Sequence, residues 1–243
     1  MHSYRWWSVF SKASLLALAF VITSPASAVV NVDRTRLIFS ENDVAQSLNL
    51  SNDGTTPRVI QVWADNGDPH SSPDVNPTPI VAIPPVFKIQ PGELRSLKLM
   101  LSSRQALPTD RESQYWLNIY QIAPNDADSQ NKEPKVQLPL RLRMKIFIRP
   151  AGLKAPHEED EQKLQFTQAG DHLRIRNPTP WFMSLSLHIG GQPKPISVMV
   201  SPLGTFEMPW SPSMNPGEKL RYDVITDDGN YRSYQAALST EKP

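Results

Sequence analysis

The chain lacks cysteine altogether among its 243 residues. This absence excludes a disulfide scaffold, a thiol nucleophile and a thiolate metal site. Motifs of catalysis are absent too: there is no glycine-rich phosphate loop, no G-x-S-x-G and no H-E-x-x-H. His70, His157, His172 and His188 are scattered without metal-ligand spacing. We therefore expect a protein that is not an enzyme and that carries no metal and no cofactor.

Long hydrophobic runs are also missing, and the apolar stretch at residues 13–22 is too short to span a bilayer. Arg5 and Lys12 precede this stretch, and Ala26-Ser27-Ala28 follows it as a cleavage site. These features predict an export signal over residues 1–28 and a mature protein that begins at Val29 without stable membrane insertion. The signal holds two of the 25 basic residues, which leaves 23 basic against 24 acidic residues and a charge of −1. This near-neutral balance argues against a nucleic-acid partner.

Proline is abundant, with 24 residues, and short alternating runs lie between Pro, Gly, Asn and Asp turns. This pattern is typical of an all-β protein. In the first half the predicted strands are 30–39, 46–50, 58–64, 86–89, 94–101, 114–122 and 136–148. In the second half they are 164–167, 172–176, 183–189, 196–200, 205–208, 219–226 and 231–238, and 157–162 is expected to form a charged surface stretch. Seven strands on each side of a break near 149–153 predict two immunoglobulin-like β-sandwiches, residues 29–150 and 151–243.

The last run of the first half is unusual because its polar face is basic. Apolar and polar positions alternate in the order Val136, Gln137, Leu138, Pro139, Leu140, Arg141, Leu142, Arg143, Met144, Lys145. A period of two predicts a strand with one apolar face. Proline inside the run predicts a sheet edge, because proline cannot donate a ladder hydrogen bond. A long apolar edge needs a partner, and we predict that this strand is lent to another protein.

Several segments together resemble the periplasmic chaperones for pilus subunits, the PapD-like family. In chain order the segments are VVNVDRTRLIFS from Val29, IPPV from Ile83, QPG from Gln90, DRES from Asp110, MKIFIRP from Met144 and IRNPTP from Ile175. The resemblance covers almost the whole predicted mature chain. It implies two immunoglobulin-like domains in an L shape and a periplasmic chaperone that binds pilus subunits by donor-strand complementation. It also implies delivery of the subunit to an outer-membrane usher.

The same resemblance assigns roles to three groups of residues. The donor row that fills a groove in the subunit comprises Val136, Leu138, Leu140 and Leu142. Arg36 and Lys145 would hold the C-terminal carboxylate of the subunit, through charge-assisted hydrogen bonds. An ion-pair network between the domains comprises Glu112, Arg149 and Asp227, with the adjacent Asp228 as the alternative to Asp227.

Other interpretations stay open at this point. The row could be an ordinary sandwich edge that faces its own core, and the two cations could be solvated surface residues. A structural pilus or surface-adhesin subunit would also be exported and all-β, and a secreted β-sandwich enzyme would need a convergent site that the sequence lacks. The short stretch between Ile122 and Val136 resembles the short-loop subgroup of the family. Self-association into a homodimer that caps the exposed strand is a further expectation.

Overall fold

A computed structural model describes residues 30–73, 78–122, 139–189, 194–210 and 219–240. The predicted export signal and two members of the donor row, Val136 and Leu138, lie outside these residues. The described chain folds into two β-sandwiches, which confirms the all-β prediction. None of its helices has the length and apolar character needed to cross a bilayer.

The first sandwich consists of a four-stranded and a five-stranded sheet. The four-stranded sheet has the order β1-β3-β7-β5, with β1 (Val30–Val32), β3 (Ala45–Asn52), β7 (Leu94–Leu101) and β5 (Ile80–Ile83). The five-stranded sheet has the order β2-β9-β8-β4-β6, with β2 (Arg36–Phe39), β9 (Leu140–Ile148), β8 (Ser113–Ile122), β4 (Arg58–Asp65) and β6 (Val86–Ile89). Alternate residues of both sheets point inward and form one apolar core that includes Leu37, Leu48, Ile60, Leu97, Leu117 and Ile146.

The segment predicted as one strand over residues 30–39 is two strands in different sheets. β1 pairs with β3, whereas β2 pairs in parallel with β9. Between them, the Asp33 amide donates to the Asn49 carbonyl at 3.1 Å and the chain crosses to the other layer. Strand β5 was not predicted, because its four residues run directly into Pro84-Pro85 and offer only two buried positions.

The second sandwich has the strand order β13-β12-β15-β16-β10-β11-β14. Its strands are β10 (Gln165–Ala169), β11 (His172–Arg176), β12 (Met183–His188), β13 (Ile196–Val200), β14 (Thr205–Pro209), β15 (Lys219–Ile225) and β16 (Tyr231–Thr240). β16 pairs antiparallel with β15 and, further along, parallel with β10. It therefore links the strands β13-β12-β15 to the strands β10-β11-β14. A second apolar core lies inside, with Phe166, Leu185 and Tyr222 among its buried members.

Residues 157–162 are mostly exposed, as expected, with one buried exception. They contain a one-turn helix, α1 (Glu158–Glu161), whose last residue is only 1% exposed. The Glu161 carboxylate accepts hydrogen bonds from Arg232 Nη1 at 2.9 Å and from the Tyr234 hydroxyl at 2.6 Å. These partners lie about 70 residues away in sequence, and they allow the carboxylate to be buried because a buried charge needs an opposite charge and hydrogen bonds.

Candidate functional site

The edge of β9 is open along half of the strand. On one side β8 pairs with β9 from Leu140 to Ile148. On the other side β2 pairs only with Lys145 to Ile148. Among the described strands none pairs with this second side between Leu140 and Met144, so its backbone N–H and C=O groups are available to another chain.

Side chains on the apolar face of this open segment differ in how far they are exposed. Leu140 is 52% exposed, which suits a side chain that fills another protein's groove. Leu142, by contrast, packs against the sandwich's own core, and Met144 is buried there. Leu142 therefore matches the alternative interpretation of the row, an ordinary edge residue that faces inward.

Arg36 and Lys145 lie at the point where β2 closes the edge. They are directly paired across the parallel β2–β9 ladder, so their side chains project from the same face of the sheet. Both belong to continuous strands, and their positions are fixed by main-chain pairing rather than by a loop. The two predicted cations are thus brought together, and the free edge of β9 ends beside them.

The Lys145 ammonium group is half-buried and contacts the second sandwich. Its Nζ donates to Ser184 Oγ on β12 at 3.0 Å and lies 5.8 Å from the centre of the Trp116 ring. Burial, with a smaller contribution from the nearby charge of Arg36, lowers the pKa of Lys145 to about 8. Lys145 is therefore a poorly solvated cation that an incoming anion would stabilise.

The Arg36 guanidinium is buried, and it too reaches the second sandwich. Its Nη1 donates to the Ile225 carbonyl on β15 at 2.8 Å, and it lies 5.9 Å from the centre of the Phe147 ring. Its Nε is buried without a hydrogen-bond partner among the described residues. Burial lowers the pKa of Arg36, and Asp227 and Glu112 oppose this effect. The guanidinium also lines a cavity of about 260 Å³ between the two sandwiches.

The three predicted ion-pair residues meet at the junction of the sandwiches. Arg149 donates from Nε to Glu112 Oε1 at 2.9 Å and, through both terminal nitrogens, to the carboxylate of Asp227 at 2.7 and 2.8 Å. The neighbouring Asp228 instead accepts from Thr226 and Asn230. The side chains of Arg149 and Glu112 are 4% and 2% exposed, so this ion pair is buried, whereas Asp227 is 37% exposed at its edge.

Glu112 also binds the second sandwich directly. Its Oε2 accepts the Phe182 amide at 2.9 Å, and its own amide donates to the Pro180 carbonyl at 2.9 Å. Burial raises the pKa of Glu112 to about 7, against the opposing effects of Arg149 and the Phe182 amide. The Phe147 and Phe182 rings pack next to it with centroids 5.9 Å apart. Arg36, Lys145 and this network therefore lie at one interface.

Ser184 is a site residue that the sequence reasoning missed. It is 2% exposed and supplies the acceptor for Lys145. No local pattern identifies it, since the contact depends on how the two sandwiches pack. Within the described ranges no three His, Cys, Asp or Glu side chains are placed to hold a metal ion.

Comparisons with known proteins agree with this architecture. A profile described as "Pili and flagellar-assembly chaperone, PapD N-terminal domain" matches residues 29–154, and "Pili assembly chaperone PapD, C-terminal domain" matches residues 159–236. The probable fimbrial chaperone YadV of Escherichia coli K12 is 34% identical over 206 residues, which are 79% of this chain and 84% of that protein. The chaperone protein MrkB of Klebsiella pneumoniae is 30% identical over 223 residues, 90% of this chain and 95% of its own.

Among solved structures, the Pseudomonas aeruginosa CupB2 chaperone superposes with a TM-score of 0.70 at 30% identity. The superposition covers 86% of this chain and all of that one. Matches to both domains, in order and over most of the chain, establish that this protein belongs to the PapD-like family of pilus-assembly chaperones.

Proposed function

We propose that this chain is a periplasmic chaperone that captures exported pilus subunits at the open edge of β9. In this proposal a subunit that lacks its own final strand adds a strand beside β9, and its C-terminal carboxylate binds Arg36 and Lys145. Val136, Leu138 and Leu140 fill the apolar groove of the subunit. The first two belong to the donor row as sequence predictions, and Leu142 is left out because it packs inward.

The observation that carries the proposal is the place where the open edge ends. β2 closes it at Lys145, and Arg36 is the first residue of β2. A strand added to the open edge must stop there, so its end meets two poorly solvated cations. If that end is the carboxyl terminus, the added strand runs parallel to β9, as β2 does. Main-chain hydrogen bonds then provide general pairing, and every second side chain enters the groove.

Side-chain burial and the carboxylate contact together determine the stability of the proposed complex. Burial of three aliphatic side chains contributes about 4.5–9 kcal/mol before ordering costs, at about 1.5–3 kcal/mol each. A charge-assisted hydrogen bond to the carboxylate adds about 1.5–3 kcal/mol. Delivery to an outer-membrane usher, where a better-fitting subunit extension replaces the lent strand, is part of the proposal. Relatives named as fimbrial chaperones support the role in pilus assembly. Capping of the edge by a second copy of the chaperone stays a prediction.

The anchoring role is tested with a synthetic peptide of alternating apolar residues and its C-terminally amidated copy. Removal of the carboxylate is expected to weaken binding to the natural protein by about tenfold or more, from the strength of a charge-assisted hydrogen bond. Arg36→Ala and Lys145→Ala should each reduce the difference in affinity between the two peptides, and the double variant should bind both weakly and equally, as measured by calorimetry. A variant that still distinguishes the two peptides as the natural protein does would refute the anchor.

Binding is also expected to depend on pH through Lys145. Its pKa in the free protein is about 8, and a bound carboxylate raises that pKa, so binding takes up a proton above pH 8. The dissociation constant should be constant below pH 7 and should increase above pH 8 by up to about tenfold per pH unit, the limit for one linked proton. Lys145→Arg keeps its charge and should remove this dependence. A flat profile in the natural protein would contradict the assignment.

A further inference from the structure

Arg141 and Arg143, on the basic face of β9, form a second feature of the donor segment beside Lys145, which lies on the same face. Arg141 and Arg143 point away from the core and toward β8 and β4, with half or more of each side chain shielded from solvent. Arg141 donates from Nε to Asn118 Oδ1 at 2.9 Å and from Nη1 to the Pro69 carbonyl at 2.7 Å. Its guanidinium also lies 4.8 Å from the centre of the Trp63 ring.

Arg143 binds the same network one step further along the strand. Its Nε donates to Asn118 Oδ1 at 3.1 Å, and its Nη2 reaches both oxygens of Asp65 at 2.8 and 3.0 Å. The guanidinium lies 4.7 Å from the centre of the Trp116 ring. Each arginine therefore bonds through at least two guanidinium nitrogens while it stacks on an aromatic ring, a combination that a lysine ammonium cannot reproduce.

Asp65, at the end of β4, is the centre of this network. Its side chain is fully buried and accepts hydrogen bonds from Asn118 Nδ2 at 2.6 Å, Ser71 Oγ at 2.8 Å and the Gly67 amide at 2.7 Å. Burial alone would raise the pKa of Asp65, but these hydrogen bonds and the charge of Arg143 lower it below its usual value. The carboxylate thus stays ionised at neutral pH and holds the two arginines in place.

The position of the network suggests what it does. A strand that is to be lent must keep one edge free, and from Leu140 to Met144 β9 has a described neighbour, β8, on one side only. Such a half-paired strand would fray, and a subunit would then have to order it during binding at an entropic cost. Side chains on the outward face can restrain the strand without occupying its edge.

We propose that Arg141 and Arg143, held by Asp65 and Asn118, are positioning residues that keep the open edge of β9 extended before a subunit arrives. The inference rests on the proposed strand donation and identifies the residues that order the strand before binding. It also accounts for the basic character of the polar face, which neither the fold nor the carboxylate anchor requires. We call these four residues the arginine clamp.

Arg141→Met is the most informative variant. It removes the contacts of Arg141, while the buried carboxylate of Asp65 stays paired with Arg143 and its other hydrogen-bond donors. In the free protein, the backbone amides of Leu140 to Arg143 are expected to exchange with solvent about tenfold faster, as follows from loss of a hydrogen bond to a charged group. Amides of the second sandwich should not change, and the free energy of unfolding should fall by no more than the same tenfold factor, about 1.4 kcal/mol. Unchanged exchange at Leu140 to Arg143 would overturn the clamp.

Arg95→Met is the matched control. Arg95 lies on β7 in the other sheet of the same sandwich, stacks 4.9 Å from the Phe87 ring centre and donates to the Lys88 carbonyl at 3.0 Å. Like Arg141, Arg95 stacks on an aromatic ring and donates a hydrogen bond to a backbone carbonyl, but it lies away from β9. Faster exchange of β9 in this control would show a general effect of losing an arginine and would count against the clamp.

Binding of the alternating apolar peptide with a free carboxylate separates the clamp from the donation proposal. Arg141→Met should weaken this binding by about tenfold. Arg141→Lys should not restore it, since one ammonium group cannot bond to Asn118, Pro69 and Ser71 at once. Faster exchange with unchanged affinity would overturn the positioning role. If the natural protein does not bind the peptide, the donation proposal fails, whereas exchange still tests the clamp. Should Arg141→Met not fold, Ser71→Ala removes a partner of both Arg141 and Asp65 and takes its place.

Discussion

Leu140→Glu is expected to leave the chaperone folded and to abolish capture of pilus subunits. In the free protein Leu140 is 52% exposed, so a carboxylate there is solvated and costs little. In the proposed complex the same carboxylate would enter an apolar groove without a partner. Loss of the leucine contact together with burial of a charge should weaken binding by at least about 100-fold. Affinity purification of the chaperone from periplasmic extract, followed by mass spectrometry, measures the recovered subunit.

Leu94→Glu provides the control for this experiment. Leu94 is 71% exposed and begins β7 in the other sheet of the same sandwich, so it tests the effect of a new surface carboxylate away from the open edge. Subunit recovery with this variant should match that of the natural protein. Equal recovery with Leu140→Glu would mean that the client binds elsewhere, and the proposed role of β9 would have to be abandoned.

The strand pattern of the first sandwich was largely predictable because alternation with period two is a local property. It identified β9 and its apolar face without any knowledge of the rest of the fold. Residues 30–39 alternate only as far as Asp33, and a run of polar and then apolar residues follows. This local pattern does not show which sheet each part of the segment joins. The change of sheet depends on two separate partners, β3 and β9, which lie far apart in sequence.

Charged residues were harder to interpret, because their partners also lie far away in sequence. The acidic composition of residues 157–162 favoured a solvated surface, yet Glu161 is buried because Arg232 and Tyr234 meet it from β16. Likewise, Arg141 and Arg143 stood out as an unusual basic face, but their partner Asp65 lies more than 70 residues earlier. Sequence spacing cannot predict such contacts, since they exist only once the sheets have assembled.

The carboxylate anchor and the network at the junction were named from the resemblance, and the structure adds a connection between them. Arg36 reaches the Ile225 carbonyl and Lys145 reaches Ser184, so both cations are oriented by the second sandwich. The ion-pair network around Arg149 joins the same two sandwiches. A change in how the sandwiches pack should therefore alter the anchor as well.

Arg149→Met is expected to lower the free energy of unfolding by about 3–5 kcal/mol, the usual cost of removing one partner of a buried ion pair. The substitution takes the cation away from Glu112 and Asp227 together, and Glu112 is left buried with only the Phe182 amide as a partner. Urea unfolding followed by circular dichroism measures the loss. Arg111→Met is the control, because Arg111 pairs with Asp110 at the exposed surface and its loss should change little.

The loss in Arg149→Met should be larger at pH 8 than at pH 6. Burial raises the pKa of Glu112 to about 7, and removal of Arg149 takes away a charge that opposes this rise. A carboxyl group whose pKa is higher in the folded than in the unfolded state stabilises the fold at low pH, and this contribution is lost as pH rises through the folded value. The variant should therefore recover stability on mild acidification, when Glu112 is protonated. An equal loss at both pH values would mean that the unpaired Glu112 charge is not its cause.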